Sequence, residues 1–217
     1  MTILKSIKKG EQEFQLRRYT SLSATIQFLQ TKEMTFLNPY SWDDKNDVHY
    51  LYKYKDRKKA KTVLVICFAN CKERYHHWRV FAAGTDGICI EFHKDKILGH
   101  LKSVPNVEVR RVKYKEIDEL NSGSMKPFLK DLPFLKRAPY RDEQEIRAVY
   151  VNETEIFESK KVDVPLFTVS RITLSPWMPR ELAESVRKSL KAIEGCQNLK
   201  IVRSTLIRNE RWKRWAD

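Results

Sequence analysis

The chain has 217 residues, with 42 lysines and arginines against 28 acidic residues, for a formal net charge of +14. Hydrophobic residues make up 41% of it and aromatics 11%, enough to bury a core, so wholesale disorder is excluded. No stretch approaches the ~18 consecutive apolar residues of a membrane span, and Met1 to Glu11 is polar and lysine-rich, without the apolar run of an export signal.

Residues 14–19 (FQLRRY) read as a first strand. Thr20 and Ser21 are good N-cap types, and the next eleven residues place Leu22, Ile26 and Leu29 at helical spacing. Met34 to Leu37 is a short strand, and NPYSWDDKND is a loop by its Asn, Pro, Ser and Asp content. Lys53 to Lys61 is a basic run with no apolar period. Thr62 to Ala69 (TVLVICFA) has the continuous apolar character of a central strand covered on both faces. Trp78 with Phe81 and Ala82 suits a short helix, after which Gly84 and Gly87 turn the chain into a second apolar strand, GICIEF. Val107 to Tyr114 alternates, with a phase slip near Arg110 and Arg111 that predicts a bulge.

Residues 121–142 hold Gly123, Pro127, Pro133 and Pro139 and read as loop with one short helix. Glu145 to Val151 is a strand, and Phe167 to Leu174 another. Pro179 opens a helix with Leu182, Val186, Leu190 and Ile193 on one face, and Gly195 closes it. Leu199 to Ile207 is a last strand before the basic aromatic tail RNERWKRWAD. Strands outnumber helices without alternating regularly with them. The expectation is therefore one α+β domain over residues 1–217, with mixed or antiparallel sheets, a few flanking helices, and residues 1–13 and 208–217 as peripheral tails.

The six glycines form neither GxGxxG nor GxxxxGK[ST], which removes a Rossmann fingerprint and a P-loop. None of Cys67, Cys71, Cys89 and Cys196 makes a CxxC pair; Cys67 and Cys89 read as buried thiols, in keeping with a reducing cytoplasm. The histidines show no HExxH or zinc-finger spacing, and no metal is expected.

Chemistry concentrates in a few places. On a strand, Glu143, Glu145 and Arg147 of YRDEQEIRAVY point to one face. Two adjacent carboxylates split their pKa values, so one can stay ionised beside a cationic transition state while the other orients a nucleophile. The alternative is a solvated strand end. Arg17 or Arg18, leaving a strand beside a helix N-terminus, can grip phosphate; the alternative is that Thr20 or Ser21 only caps the helix. Trp78 can stack a planar ring or lie in the core, and His76 or His77 can serve as acid or base or be structural. Lys55, Arg57, Lys58, Lys59 and Lys61 are preceded by interleaved tyrosines, and Arg211, Lys213 and Arg214 surround Trp212 and Trp215. Cations among aromatics suit nucleic acid; the alternative is a charged surface onto which the two tail tryptophans dock the C-terminus.

Several of these blocks resemble an uncharacterised bacterial domain-of-unknown-function family: Arg18-Tyr19-Thr20-Ser21, the Pro-Tyr-Ser-Trp-Asp-Asp loop, Cys67-Phe68, Trp78, Gly87-Ile88-Cys89-Ile90-Glu91-Phe92, Glu143-Gln144-Glu145-Ile146-Arg147, and, more weakly, ITLSPWM and STLIRNERW. The likeness spans residues 14 to about 212 and brings no activity with it. A first-strand Arg, a helix behind it and a late Glu-x-Glu are also similar to the ADP-ribosyltransferase fold of the Arg-Ser-Glu class. That resemblance implies NAD as substrate, with Arg18 on its phosphate and ribose, Glu145 stabilising the cationic ribose and Glu143 activating the acceptor. Tyr19, Ser21, Trp78 and Arg147 complete the expected cofactor-binding set. The chain departs from the class where a Ser-Thr-Ser would lie, having Cys67-Phe68-Ala69-Asn70, and Arg17 competes with Arg18 for its role.

The expected function is an ADP-ribosyltransferase-like enzyme of the cytoplasm, with no membrane partner, that modifies nucleic acid or a nucleic-acid-associated protein as a toxin or phage-defence effector. The alternative is a non-enzymatic basic nucleic-acid-binding module. A hydrolase using a divalent cation on Asp142, Glu143 and Glu145 would need Asp43, Asp44 or Asp47 to converge on them.

Overall fold

A computed structural model of the chain describes residues 15–82, 84–122 and 126–216. β1 (Gln15–Ser21) runs directly into α1 (Leu22–Thr31), capped by Ser21 Oγ accepting from the Ala24 amide at 3.2 Å. After β2 (Glu33–Leu37) and a 3-10 turn at Pro39–Ser41 comes α2 (Lys45–Lys58), started by Asp44, whose carboxylate accepts from the amides of Asn46 and Asp47. β3 (Thr62–Ala69), α3 (Tyr75–Phe81), β4 (Gly87–His93), α4 (Lys94–Ser103), β5 (Val107–Arg111), β6 (Lys113–Lys115) and α5 (Ile117–Ser122) follow. β7 (Leu135–Arg137) lies between 3-10 segments at Leu129–Phe134 and Ala138–Glu143. β8 (Glu145–Asn152), β9 (Ser159–Asp163), β10 (Val169–Leu174), α6 (Arg180–Lys191), β11 (Ile201–Arg203) and α7 (Glu210–Lys213) complete the described chain.

Nine of these strands form one mixed sheet. Its path is β11-β10-β4-β1-β3-β2-β9, with β8 paired to β3 and β5 paired to β8. Within it only β10 and β11 run parallel; β6 and β7 form a separate parallel pair. β3 organises the sheet. One of its edges pairs with β8 at every residue from Thr62 to Ala69. Its other edge touches β1 only at Ala69, opposite Arg17, and β2 only at Val65, opposite Leu37. The sheet is therefore forked between those two points, and the fork falls at Cys67.

The two faces of the sheet differ. Leu16, Leu64, Ile66, Phe68, Ile90, Ile146 and Ala148 lie on the face that carries the main core, packed with α1, α4 and α6. The other face holds two smaller apolar clusters, one beneath α2 around Leu51, Tyr54, Val65 and Val149, and one beneath α3 around Tyr19, Trp78 and Cys89. Directly opposite residues share a face. The pairings Arg17–Glu91, Arg171–Glu91, Arg17–Ala69, Ala69–Glu145 and Cys67–Arg147 therefore put all of these charged groups on this second face, between and beside the two small clusters.

The mixed sheet with flanking helices agrees with the expected fold class; several local readings change. The segment read as loop before Asp47 contains a 3-10 turn and the start of α2, and the basic run from Lys53 is largely the end of that helix. Val107 to Tyr114 is two strands in different sheets rather than one bulged strand. α4 and β9 have no counterpart in the sequence reading. The last strand shrinks to Ile201–Arg203, and part of the tail is helical. In α6 the buried face is Ala183, Val186 and Leu190, while Leu182 is exposed. Phe14 and the tail at residues 1–13 lie outside the described residues.

A Cβ at Gly87 would sit 2.2 Å from the Ala82 carbonyl oxygen. Gly87→Ala must displace the Ala82 backbone from β4, and a loss of roughly 1–3 kcal/mol is expected in urea denaturation. A wild-type midpoint for this variant would contradict the close approach.

Candidate active site

A cavity of about 480 Å³ opens at the fork in the sheet. Its lining divides by charge. Arg17 and Arg18 from β1 form one side, and Asp43, Asp44, Asp47, Glu143 and Glu145 form the other. Tyr19, Trp42 and Tyr140 supply aromatic surface, while Leu37, Val80 and Phe81 are lining residues that are themselves exposed. A larger open groove of about 1000 Å³ lies between the end of α2, β5 and β8. Its charged groups are surface side chains, with Lys58 and Glu153 paired to each other at 2.7 Å, so it gathers no comparable chemistry.

The two arginines of β1 are not equivalent. Arg17 is committed: it pairs with Glu91 at 2.9 Å and donates to the Cys71 carbonyl, while Arg171 holds the same Glu91 through two further hydrogen bonds. Arg18 has the opposite parity on the strand and reaches into the fork. There its Nη1 donates to the Cys67 carbonyl at 3.3 Å, the oxygen left between the two places where β3 is paired on that edge. Among the described residues no carboxylate pairs with Arg18. Burial lowers its pKa from the usual arginine value. A desolvated cation without a counter-ion favours an anionic ligand.

On the opposite wall the acids are bound together by two cations. Arg147 is fully buried and uses all five of its N–H donors. Nε and Nη2 hold the two oxygens of Glu145 at 2.7 and 2.9 Å, Nη1 and Nη2 hold those of Asp47 at 2.8 and 2.6 Å, and Nη1 also donates to the Pro133 carbonyl at 2.8 Å. Lys136 lies 2.7 Å from Glu143, 3.6 Å from Asp47 and 3.8 Å from Glu145. Within this ion-paired cluster three carboxylates against two cations leave one net negative charge, and Asp43 and Asp44 lie on the same side of the cavity. Burial works to raise the Glu145 pKa, but Arg147 outweighs it and the carboxyl stays below its usual value. For Glu143 burial prevails over Lys136, and its pKa is raised. Lys136 is held as a cation: the three carboxylates overcome the cost of burying it.

Arg18, Tyr19, Glu143 and Glu145 thus meet at one cavity. Glu143 arrives by a route other than strand alternation. It ends a 3-10 segment, and left-handed Gln144 separates it from β8. The other expected ligand-binding residues are placed elsewhere. Ser21 is exposed and caps α1. Trp78 is fully buried in the cluster beneath α3, donating to Glu73 at 2.8 Å, so it presents no face for stacking. Arg147 has no donor left for a ligand and does not line the cavity. His77 is buried too, its pKa lowered to about 4 by burial and by His76 and Arg74, so it is a neutral ring at neutral pH.

Lys55, Arg57, Lys58, Lys59 and Lys61 lie at and beyond the end of α2, and Arg211, Lys213 and Arg214 on or beside α7; none lines the cavity. The tail tryptophans do not dock: Trp212 is 79% exposed and Trp215 89%. Asp43, Asp44 and Asp47 do converge on Glu143 and Glu145, but Arg147 and Lys136 already hold three of those acids. Among the described residues no group of three metal-ligating side chains is placed to hold an ion. Sequence reasoning gave no site role to Lys136, Trp42, Tyr140 or Cys67, and it considered Asp47 only as a metal ligand. Cys67 lines the cavity; burial, with the nearby Glu145 carboxylate, raises its pKa, so it is a neutral thiol.

No protein-family model matches the sequence, and no curated protein matches it. Solved structures similar to this fold include Thermus sp. 2.9 DarT in complex with ADP-ribosylated ssDNA, with a TM-score of 0.46 and 11% identity over 91% of this chain and 97% of that one. The same protein in complex with NAD+ gives a TM-score of 0.45 and 11% identity over 90% and 98%, and in complex with carba-NAD+ 0.44 and 11% over 90% and 97%.

The ion cluster fixes the sign of two pH responses. Glu145 and Glu91 are both held below the ordinary value of 4.5, so the stability they contribute is complete above that pH and is lost as pH falls through their folded values. Arg147→Met leaves Asp47 and Glu145 buried without their main cation. It should cost about 3–5 kcal/mol at neutral pH and regain part of that on acidification, as protonation removes the uncompensated buried charge. Denaturation at stepped pH checks this; parallel pH slopes for the two proteins would contradict the cluster.

Proposed function

We propose that the cavity binds NAD and that the protein transfers its ADP-ribose to an acceptor, releasing nicotinamide. The observation carrying this reading is the charge layout: an Arg18 with no carboxylate partner among the described residues at one side and a net-negative carboxylate wall at the other. NAD has a matching layout, with an anionic pyrophosphate in the middle and a cationic pyridinium ring at one end.

In this reading Arg18 grips the phosphates through the donors not used on Cys67. Glu145, fixed by Arg147, faces the ribose as the bond from C1′ to the ring nitrogen breaks and the electron pair leaves with nicotinamide. The positive charge then developing on the sugar is what a desolvated carboxylate stabilises. Glu143, whose raised pKa brings it nearer to neutrality, accepts the acceptor's proton as the nucleophile bonds to C1′. Trp42 or Tyr140 takes the stacking role expected of Trp78.

The exposed basic residues of α2 and the tail favour nucleic acid, or a protein bound to it, as acceptor. They also motivate a second reading, a binding module without catalysis, supported by the exposed Trp212 and Trp215 among Arg211 and Arg214. That reading requires oligonucleotide affinity that falls steeply with salt.

The test is nicotinamide release from NAD by the purified protein, with DNA, RNA and lysate as acceptors. Glu145→Gln should lower the rate by about 10²–10³-fold, and Arg18→Met should raise KM for NAD, with both variants folded by circular dichroism. Absence of release by the wild type with every acceptor, or full turnover by a folded Glu145→Gln protein, would overturn the proposal.

A further inference from the structure

Asp47 stands on the first turn of α2, fully buried, and meets the reactive wall through Arg147 and, at 3.6 Å, through Lys136. The Arg147 fork holds Glu145 on one side and is itself held by the Asp47 fork on the other. This fixes the plane of the Glu145 carboxylate from two elements, α2 and β8. Asp47 also supplies the third negative charge of the cluster, the one that its two cations do not cancel. Lys136 lies within 4 Å of all three carboxylates and acts in the opposite sense.

We infer that Asp47 and Lys136 are a pair of opposed positioning residues that set the net charge of the Glu143 and Glu145 cluster, Asp47 holding it at one negative and Lys136 keeping it from reaching two. As a claim about catalysis this rests on the ADP-ribosyl transfer reading; as a claim about the cluster it does not. The groups around the two glutamates are Asp47 from α2, Lys136 from β7, Arg147 from β8, Cys67 from β3, Tyr114 from β6 and Tyr140 from the 3-10 segment before β8, with Asp43 and Asp44, just ahead of α2, on the same side of the cavity. Of these, Tyr114 Oη accepts from the Glu145 amide at 2.9 Å, and the Tyr140 ring lies 4.7 Å from the Lys136 nitrogen. Removal of Asp47 makes the cluster neutral and removal of Lys136 makes it doubly negative. The two changes together return it to one negative charge, so the double variant separates charge from shape.

The experiment compares Asp47→Asn, Lys136→Gln and the double variant by two readouts. The first is the pH profile of kcat for nicotinamide release. Asp47→Asn should lower kcat roughly tenfold, as expected for one charge removed near a cationic transition state, with little change in KM, and should move the acid limb to lower pH. Lys136→Gln should move that limb to higher pH, and the double variant should return it toward the wild-type position. The second readout, ¹³C NMR titration of the Glu143 carboxyl, needs no turnover and should show shifts of the same signs, each of roughly one unit.

Wild-type protein that releases no nicotinamide sinks the transferase reading and leaves the titration to decide the cluster. A Glu143 titration unmoved by either single change, or moved the same way by both, overturns the inference. So does a double variant as far displaced as Asp47→Asn. Should Asp47→Asn fail to fold, Lys136→Gln alone decides by the sign of its shift.

Discussion

Arg147 is buried with every N–H donor engaged, and the arrangement of the cavity depends on it. A lone guanidinium taken out of water would be prohibitively costly; two bidentate carboxylates and a carbonyl offset that cost. The partners come from distant parts of the chain. Asp47 is 100 residues upstream on α2, Glu145 is two residues away on the same strand face, and Pro133 lies in the segment leading to β7. One side chain thereby joins α2, β8 and the Pro133 segment around the cavity wall. α2 needs this attachment, because apart from Leu51 and Tyr54 it has little buried apolar surface of its own.

The fork in the sheet supplies the complementary element. Because β1 and β2 each meet β3 at a single residue, the Cys67 carbonyl between them is left without a strand partner, and Arg18 takes it. The cation sits in the gap with no acid paired to it among the described residues, although its neighbour Arg17, one residue earlier, is paired. Strand parity explains the difference. Arg17 shares a face with Glu91 and Arg171, whereas Arg18 points the other way, into the fork. A cavity with an uncompensated cation at one side and a net negative wall at the other is thus built from the backbone pattern of one central strand and its neighbours.

The parts of this design that are local were legible in the sequence. The continuous apolar run of β3 and the β4 pattern predicted central strands, and the period of two in EIR put Glu145 and Arg147 on one face. The helical spacing of Trp78 with Phe81 already admitted a core role, and Trp78 is in the core. The nonlocal parts were not legible. α2 shows no apolar period because one of its buried anchors is a carboxylate, so hydrophobic patterning is silent there. Lys136 lies in a proline-rich stretch that reads as loop, and its role exists only once three acids from different elements surround it. Glu143 looks like a strand residue by spacing, yet a left-handed Gln144 takes it out of the strand.

The central claim is that the cavity matches a ligand that is anionic in its middle and cationic at one end. Calorimetric affinities for NAD+ and NADH test this most directly, because the two share every phosphate and differ in the charge and saturation of the nicotinamide ring. The account predicts that NAD+ binds more tightly by roughly tenfold at low ionic strength, and that Arg18→Met weakens both alike. Binding of NADH as tight as that of NAD+, or tighter, would contradict it.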